Sequence, residues 1–479
     1  MALITGRVEK PTSDTIAVSF RNSMADTQDH ITYARLGDKG QFELRVPVTE
    51  ATRADLVYGE AVADLYLDPE AMLDVSFKGK DLPGTIKFKA LKAVAGREHQ
   101  EQIANANTYL ADFDTRFVSN YDFQVLPNNI RLYEAPFVAF LDYRTQQEQE
   151  FLKSRSADNA FTPEFVRYAA AEIVYSATND RLAFADLREQ MVNSEPRLAL
   201  SPTYYDFLQK PGLLDDLAAG QNEQYQEFLL NYIHYVAAQN KYKRSDASFF
   251  VACYSLATER LHGAPQLLTL ARVLQESFRY GHMRQSAAML ANFATVDTQH
   301  HYTAGLQAAF DQHQTLAIGA PAPDFALLSA TGETVKLSDL KGKLVYLNFW
   351  TTTNGLCRNN LASAADLQHR FADKNVVFVN IALDEQETTW RQLVKEQHLP
   401  GVQLYAPGGM RAAVATAYHV AAAPTYLLLG EDGTILLNKP KGLGSRATVE
   451  ELNSSFGKAG DYTAALAMLS PHSAGGGQH

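Results

Sequence analysis

The spacing of apolar residues changes twice along this chain, and each spacing suits a different kind of secondary structure. From residue 1 to about 92, short runs such as TIAVSFR and GQFELRV alternate apolar and polar residues between clusters of Gly, Asp, Asn and Pro. A period of two is that of half-buried strands. The segment 1–92 therefore predicts an all-β domain of seven or eight strands, arranged as a small antiparallel sandwich.

The second segment, 97–314, has apolar residues every three or four positions, as in FVRYAAAEIVYSAT and APQLLTLARVLQESF. This is the spacing of helices that bury one face. No fixed repeat length emerges, so the segment predicts a helical middle region rather than a regular array of repeats. Cys253 lies in an apolar helical pattern here, and we expect it to be a small buried hydrophobic residue.

The third segment, 316–462, follows the Pro- and Gly-rich stretch IGAPAPDF and alternates strand-like with helix-like runs. The buried strand LVYLNFW leads into a helix expected from about Gly355 to Ala372, and two strands joined by the turn GEDG follow later. Such alternation predicts an α/β domain whose central sheet is covered on both faces and ends in an antiparallel hairpin. The Gly-rich tail, 463–479, is predicted to be disordered. The chain is thus expected to be multidomain.

Composition argues against several classes of function. The 479 residues carry a formal net charge of −11, and we find no run of clustered Lys and Arg, so nucleic-acid binding is not expected. No apolar run approaches the roughly 18 residues that span a bilayer. The N-terminal MALITGRVEK shows no signal-peptide pattern. Two cysteines exclude a disulfide framework. We expect the partner to be a protein or a peptide, and partners that carry a thiol are among those expected. We expect no cofactor.

Six motifs follow one another in the third segment: GAPAPDF, LSDLKGK, LVYLNFW, the pair Cys357-Arg358, Ala423-Pro424-Thr425 before a strand, and EDGTIL. Together they resemble the TlpA/ResA group of the thiol-disulfide oxidoreductase and alkyl-hydroperoxide-reductase (AhpC/TSA) superfamily. The resemblance implies a thioredoxin-like fold at the C-terminus and a redox function. The three-part layout also resembles envelope proteins of the Bacteroidetes type, which implies a periplasmic or cell-envelope location.

In that group the corresponding strand ends in a pattern similar to N-F-W-A-T-W-C-x-x-C-R. The motif of this chain departs from that pattern. The first cysteine of the family pattern attacks disulfides, because unpaired N–H groups and the dipole at the helix start lower the pKa of the thiol. In this chain Asn354 stands at the first cysteine and Cys357 at the second, while Thr353, Leu356 and Ala362 replace other family residues. The positions equivalent to the family active site are Trp350, Asn354, Gly355, Leu356, Cys357 and Arg358.

Two functions are compatible with this motif. Asn354 can cap the helix by accepting a hydrogen bond from the backbone N–H of Cys357, which keeps the helix start and removes the nucleophile. We therefore expect a non-catalytic binding or redox-accessory protein with lost dithiol activity. The alternative is a monothiol redox enzyme or a peroxiredoxin-like peroxidase acting through Cys357, whose pKa the helix start would lower. In peroxiredoxins a Pro and a Thr before the reactive cysteine orient the peroxide. In this chain those two positions are occupied by Trp350 and Asn354.

The run before the penultimate strand is the second part of the predicted site. By the resemblance, Ala423–Pro424 is expected to be a cis peptide. The same resemblance implies that the backbone of Ala423, Pro424 and Thr425 hydrogen-bonds an extended substrate strand.

A metal site is the weaker interpretation of a His- and Asp-containing stretch at the end of the helical segment. Its candidates are His300, His301 and His313 with Asp297 and Asp311. Adjacent histidines on a helix point in different directions, so the stretch favours a solvated polar face, and we expect no metal.

Overall fold

The structure is a computed structural model that describes residues 1–21, 29–91, 96–192, 198–216, 219–220, 222–242, 246–384, 386–443 and 446–456. The chain divides into two compact units, of residues 1–240 with 255–272 and of residues 241–254 with 273–479. The division into domains 1–92, 97–314 and 316–462 stays a prediction. The predicted disordered tail, 463–479, lies outside the described residues.

Strands come first in the first unit, as the period of two predicts. They are β1 (Ala2–Glu9), β2 (Thr15–Phe20), β3 (His30–Arg35), β4 (Gln41–Val46), β5 (Thr52–Tyr58), β6 (Ala61–Leu67), β7 (Met72–Lys78) and β8 (Lys87–Ala90), with the short helix α1 (Leu82–Thr85) before β8. They form two four-stranded sheets, in the orders β4-β1-β7-β8 and β3-β2-β5-β6. Side chains from both sheets belong to one hydrophobic core. That the sheets form a separate sandwich domain stays a prediction.

The expectation of an antiparallel arrangement is wrong for one pair of strands. β1 and β7 pair in parallel, with Ile4 opposite Leu73 and Val8 opposite Phe77. Alternating burial is the same in parallel and antiparallel strands, and no hairpin turn joins these two strands. The sequence pattern therefore contains no signal for the direction of this pairing.

Helices follow, as the spacing of three to four residues predicts. Those of the first unit are α2 (Arg97–Phe113), α3 (Glu134–Arg155), α4 (Pro163–Met191) and α5 (Glu223–Gln239). Helices α6 (Ala247–Arg260) and α7 (Gly263–Arg279) contribute residues to both units. α4 has Pro163 in its first turn and Thr162 as its N-cap, whose side chain accepts a hydrogen bond from Phe165 N–H. These residue types favour a helix start.

The second unit contains helices α8 (Met283–Val296) and α9 (Thr303–His313) and a mixed seven-stranded sheet with order β10-β9-β13-β12-β11-β14-β15. Its strands are β9 (Ala326–Ser329), β10 (Thr334–Lys336), β11 (Leu344–Trp350), β12 (Val376–Ala382), β13 (Val402–Tyr405), β14 (Thr425–Leu429) and β15 (Ile435–Asn438). Its other helices are α10 (Gly355–Arg370), α11 (Glu387–Gln397), α12 (Ala413–Ala417) and α13 (Arg446–Ser455).

Strand β11 is buried at every residue and lies in the middle of this sheet. Successive side chains of a strand point to opposite faces. Val345 and Phe349 accordingly belong to one hydrophobic core, and Tyr346 and Trp350 to a second. β12 pairs with β11 in parallel, whereas β14 pairs with both β11 and β15 in antiparallel fashion. The predicted sheet with two covered faces and a final hairpin is confirmed. This fold is thioredoxin-like.

Candidate functional site

The site lies where β11 ends and α10 begins. β11 ends at Trp350, whose side chain is fully buried, and α10 starts at Gly355, close to the start predicted from the sequence. Three threonines and Asn354 connect the two elements. The first turn of α10 is thus held at the carboxyl edge of a buried strand.

Asn354 makes two hydrogen bonds that fix this helix start. Its Oδ1 accepts from the backbone N–H of Cys357 at 3.2 Å, which confirms the predicted N-cap. Its Nδ2 donates to the backbone carbonyl of Ala423 at 3.1 Å, a contact that the sequence did not predict. One side chain therefore ties α10 to the loop before β14.

Cys357 is buried, with 1% of its surface exposed, in the same core as Trp350 and Leu361. Burial raises the pKa of its thiol, and the charge of Asp384 adds to the rise. Hydrogen bonding by Thr351 favours the thiolate, but it does not outweigh burial. The expectation that the helix start lowers this pKa is wrong, because desolvation of the thiolate is the larger effect here.

Asp384 is a site residue that sequence reasoning missed. Its carboxylate is buried and accepts hydrogen bonds from the backbone N–H of Thr352, at 2.8 Å, and from the Thr352 hydroxyl, at 2.6 Å. The carboxyl ends of parallel strands meet at one sheet edge. The position of this acid just after the strand VVFVNIA was therefore the available signal. Asp384 fixes the first part of the loop.

Arg358 completes the connection on the outer side of α10. Its guanidinium Nη1 donates to the carbonyl oxygen of Thr352 at 2.6 Å, although the residue as a whole is exposed. Gly355 is also exposed, while the side chain of Leu356 is outside the described set. The exposed surface at the start of α10 therefore carries the guanidinium of Arg358, whereas the thiol of Cys357 is buried.

The loop before β14 brings the second predicted set of residues beside the first. The Ala423–Pro424 bond is cis, as predicted. Thr425 pairs with Phe349 across the sheet, and Ala423, Pro424 and Thr425 are half-buried. The carbonyl of Ala423 accepts the amide of Asn354, so one of its two lone pairs is already used.

The other candidate residues lie elsewhere. Cys253 is fully buried in α6, as expected, and both cysteines are free. Asp297 lies between α8 and α9, and its carboxylate accepts from the backbone N–H groups of His301, Tyr302 and Thr303. Burial would raise the pKa of Asp297, but these bonds hold it below its ordinary value. Within the described ranges no three His, Cys, Asp or Glu residues are grouped to hold a metal.

Comparison with known proteins identifies the family. The sequence model of the AhpC/TSA family matches residues 318–437. Thiol-disulfide oxidoreductase ResA of Bacillus subtilis is 30% identical over 129 residues, which are 27% of this chain and 70% of ResA. Thioredoxin-like protein YneN of the same organism is 37% identical over 119 residues, 24% of this chain and 68% of YneN. The chain belongs to the AhpC/TSA family and is similar to its ResA-type members.

Two solved structures of similar sequence are also described as thiol-disulfide oxidoreductases. The thioredoxin domain of a thiol-disulfide oxidoreductase from Bacteroides vulgatus is 26% identical, with a TM-score of 0.27, over 29% of this chain and 98% of that one. A thiol-disulfide oxidoreductase from Bacteroides fragilis is 25% identical, with a TM-score of 0.26, over 28% of this chain and 98% of that one. Among the described residues, no helix is both long and apolar enough to cross a bilayer.

Proposed function

We propose that this protein binds a protein or peptide partner through its thioredoxin-like domain and does not exchange disulfides. It would act as a binding or redox-accessory member of the thiol-disulfide oxidoreductase group. The layout of the chain, which resembles Bacteroidetes envelope proteins, supports a periplasmic or cell-envelope location.

The observation that carries this proposal is the hydrogen bonding of Asn354. Dithiol exchange needs a thiolate at the helix start, where backbone N–H groups stabilise it and a disulfide can reach it. Here the side-chain oxygen of Asn354 occupies that role and accepts from Cys357 N–H. An amide oxygen can cap a helix but cannot attack sulfur, so the helix start is kept without its nucleophile.

Monothiol chemistry through Cys357 is the alternative function. Its thiolate would attack a disulfide, form one mixed disulfide and release one thiolate. Alternatively, it would attack a peroxide, break the O–O bond, become a sulfenic acid and release hydroxide or an alkoxide. The thiol is 1% exposed and burial raises its pKa, so both accessibility and ionisation oppose these reactions. Cys253, the other cysteine of the chain, is fully buried. These properties favour the binding function.

The predicted substrate-binding residues Ala423, Pro424 and Thr425 remain part of this proposal. Their half-buried position beside the helix start supports a role in holding a partner strand. Because Asn354 already bonds the Ala423 carbonyl, a partner strand would have to use its second lone pair or replace that bond.

Reduction of insulin by dithiothreitol tests the loss of exchange chemistry. The wild-type protein should not raise the rate above the background of dithiothreitol. Asn354→Cys should raise it, because the introduced thiol can attack an insulin disulfide and Cys357 can then displace reduced insulin from the mixed disulfide. Asn354→Ser, which keeps a cap without a thiol, is the matched control and should stay at background. Wild-type activity at the rate of an ordinary thioredoxin would contradict the proposal.

A further inference from the structure

An open groove of about 470 Å³ lies on the side of α10 away from the cis-proline loop. β11 has β14, which follows that loop, on one side and β12, which leads to α11, on the other. The groove is lined on one wall by Thr352, Thr353 and Arg358 and on the other by α11. We call it the α11 groove.

The α11 wall has the dimensions of a short extended peptide. Its lining residues, Thr389, Gln392, Leu393, Glu396 and Gln397, recur at the spacing of one helix face. The eight residue steps from Thr389 to Gln397 rise about 12 Å. An extended chain covers that length in three to four residues at about 3.3 Å each. Side-chain amides and hydroxyls along the wall can bond a peptide backbone, and Leu393 offers an apolar contact.

Each wall carries a charge without an ion-pair partner among the described residues. Arg358 is hydrogen-bonded to the Thr352 carbonyl and to no carboxylate, and Glu396 accepts from the Gln392 amide and from no cation. In contrast, Arg391 on the same helix pairs with Glu387 at 2.6 Å. Arg358 and Glu396, one on each wall of the groove, therefore remain available to a ligand.

A chain of hydrogen bonds that begins at the buried Asp384 also fixes the position of the Arg358 guanidinium. The buried Asp384 carboxylate binds the N–H and hydroxyl of Thr352, and the Thr352 carbonyl in turn accepts from Arg358. A guanidinium fixed before binding loses less side-chain entropy when it meets a carboxylate. Arginine favours such pairs because its N–H groups match the two carboxylate oxygens.

We propose that the α11 groove binds an extended peptide segment of a partner protein that places an Asp or Glu side chain on Arg358 and an apolar side chain on Leu393. This inference rests on the proposed function of binding without turnover, and it adds the α11 groove as a second contact surface for the partner beside the one proposed at Ala423, Pro424 and Thr425. Asp384 is then a positioning residue for Arg358.

The probe for this proposal is a phage-displayed library of random heptapeptides, selected on the full-length protein. Enriched peptides should share an acidic residue next to an apolar one. A fluorescein-labelled synthetic copy of the most enriched peptide should lose about tenfold in affinity for Arg358→Gln, since a charge-assisted hydrogen bond contributes that much to binding. Arg370→Gln removes the same charge from an exposed position at the end of α10 and should bind like wild type.

A double-mutant cycle makes the assignment specific. Replacing the acidic residue of the peptide with its amide should weaken binding to the wild-type protein about as much as Arg358→Gln does, and should add little for the variant. If wild type and Arg358→Gln bind the enriched peptide equally, or if the two losses add, the groove assignment is wrong while binding without turnover still stands. Enrichment without acidic residues also contradicts it. Insulin reduction tests the proposed function separately.

Discussion

Asn354 combines two structural roles in one amide side chain. Its oxygen caps α10 and its nitrogen bonds the carbonyl of Ala423. A neutral cysteine thiol at this position would make both bonds only weakly, because sulfur is a weak donor and a weak acceptor. The substitution therefore replaces a reactive group with one that links the helix start to the cis-proline loop.

Variants of Asn354 should separate the two roles. Asn354→Ala removes both bonds, and the loss of a cap alone corresponds to about 1 kcal/mol, or about fivefold in local opening. Asn354→Ser keeps an acceptor for Cys357 N–H and loses the donor to Ala423. Hydrogen exchange of the Cys357 amide in the full-length protein should be fastest in Asn354→Ala and intermediate in Asn354→Ser. Equal exchange in wild type and Asn354→Ala would show that the cap contributes nothing.

Cys357 should be protected from alkylation in the folded protein. Iodoacetamide labelling across pH 5 to 9, read by mass spectrometry of the separate cysteine peptides, should be slow at Cys357 until the protein is denatured. Burial raises the pKa of this thiol. The rate of labelling should therefore not increase at a pH below the ordinary thiol pKa of about 8.5, as it does for a reactive cysteine. Fast labelling at neutral pH would support the monothiol alternative.

At the scale of elements, the end of α9 packs against the loop after α12 through two histidine rings. The ring centroids of His313 and His419 are 5.4 Å apart, and the Nδ1 atom of each is buried without a hydrogen-bond partner in the described part of the chain. Burial, together with the charges of His419, Arg279 and Lys439, lowers the pKa of His313 to about 4. Burial lowers the pKa of His419 as well.

This packing predicts acid sensitivity of the second unit. The neutral ring of His313 is favoured in the folded state, so the unfolded state binds more protons below the ordinary pKa of 6.5. The stabilisation is complete above pH 6.5 and is lost as the pH falls towards about 4. The two tryptophans of the chain, Trp350 and Trp390, are buried in this unit, so their fluorescence can follow its unfolding in urea.

A matched pair of variants isolates the contribution of His313. The urea midpoint of the wild-type protein should fall between pH 6.5 and 4.5 more steeply than that of His313→Gln. His369→Gln changes an exposed histidine and should keep the wild-type slope. Identical slopes for wild type and His313→Gln would show that the buried ring does not titrate in this range.

At the scale of the whole molecule, the compact units do not follow the changes in sequence period. The second unit includes helical residues from 273 onward as well as the thioredoxin-like sheet. Leu316 is buried in a core of that sheet, its carbonyl accepts from Asn438, and Ile318 N–H donates to the carbonyl of Gly281. The segment before 316 therefore helps to complete the thioredoxin-like core.

Two fragments test this dependence. Residues 280–462 keep the contacts made by Gly281 and Leu316, whereas residues 316–462 lose the Gly281 carbonyl and all of α9. The longer fragment should be more stable by at least about 1 kcal/mol, the contribution of one hydrogen bond, in urea unfolding followed by tryptophan fluorescence. Equal midpoints would place an independent domain boundary at 316.

The sequence alone determined the order of strands and helices, the start of α10 and its cap. These depend on apolar period and on residue types next to one another, which act locally. Only the tertiary structure decided the parallel pairing of β1 with β7, the bond from Asn354 to Ala423 and the support of Thr352 by Asp384. It also reversed the expected pKa shift of Cys357, because the burial that raises this pKa comes from residues distant in sequence packed around the thiol.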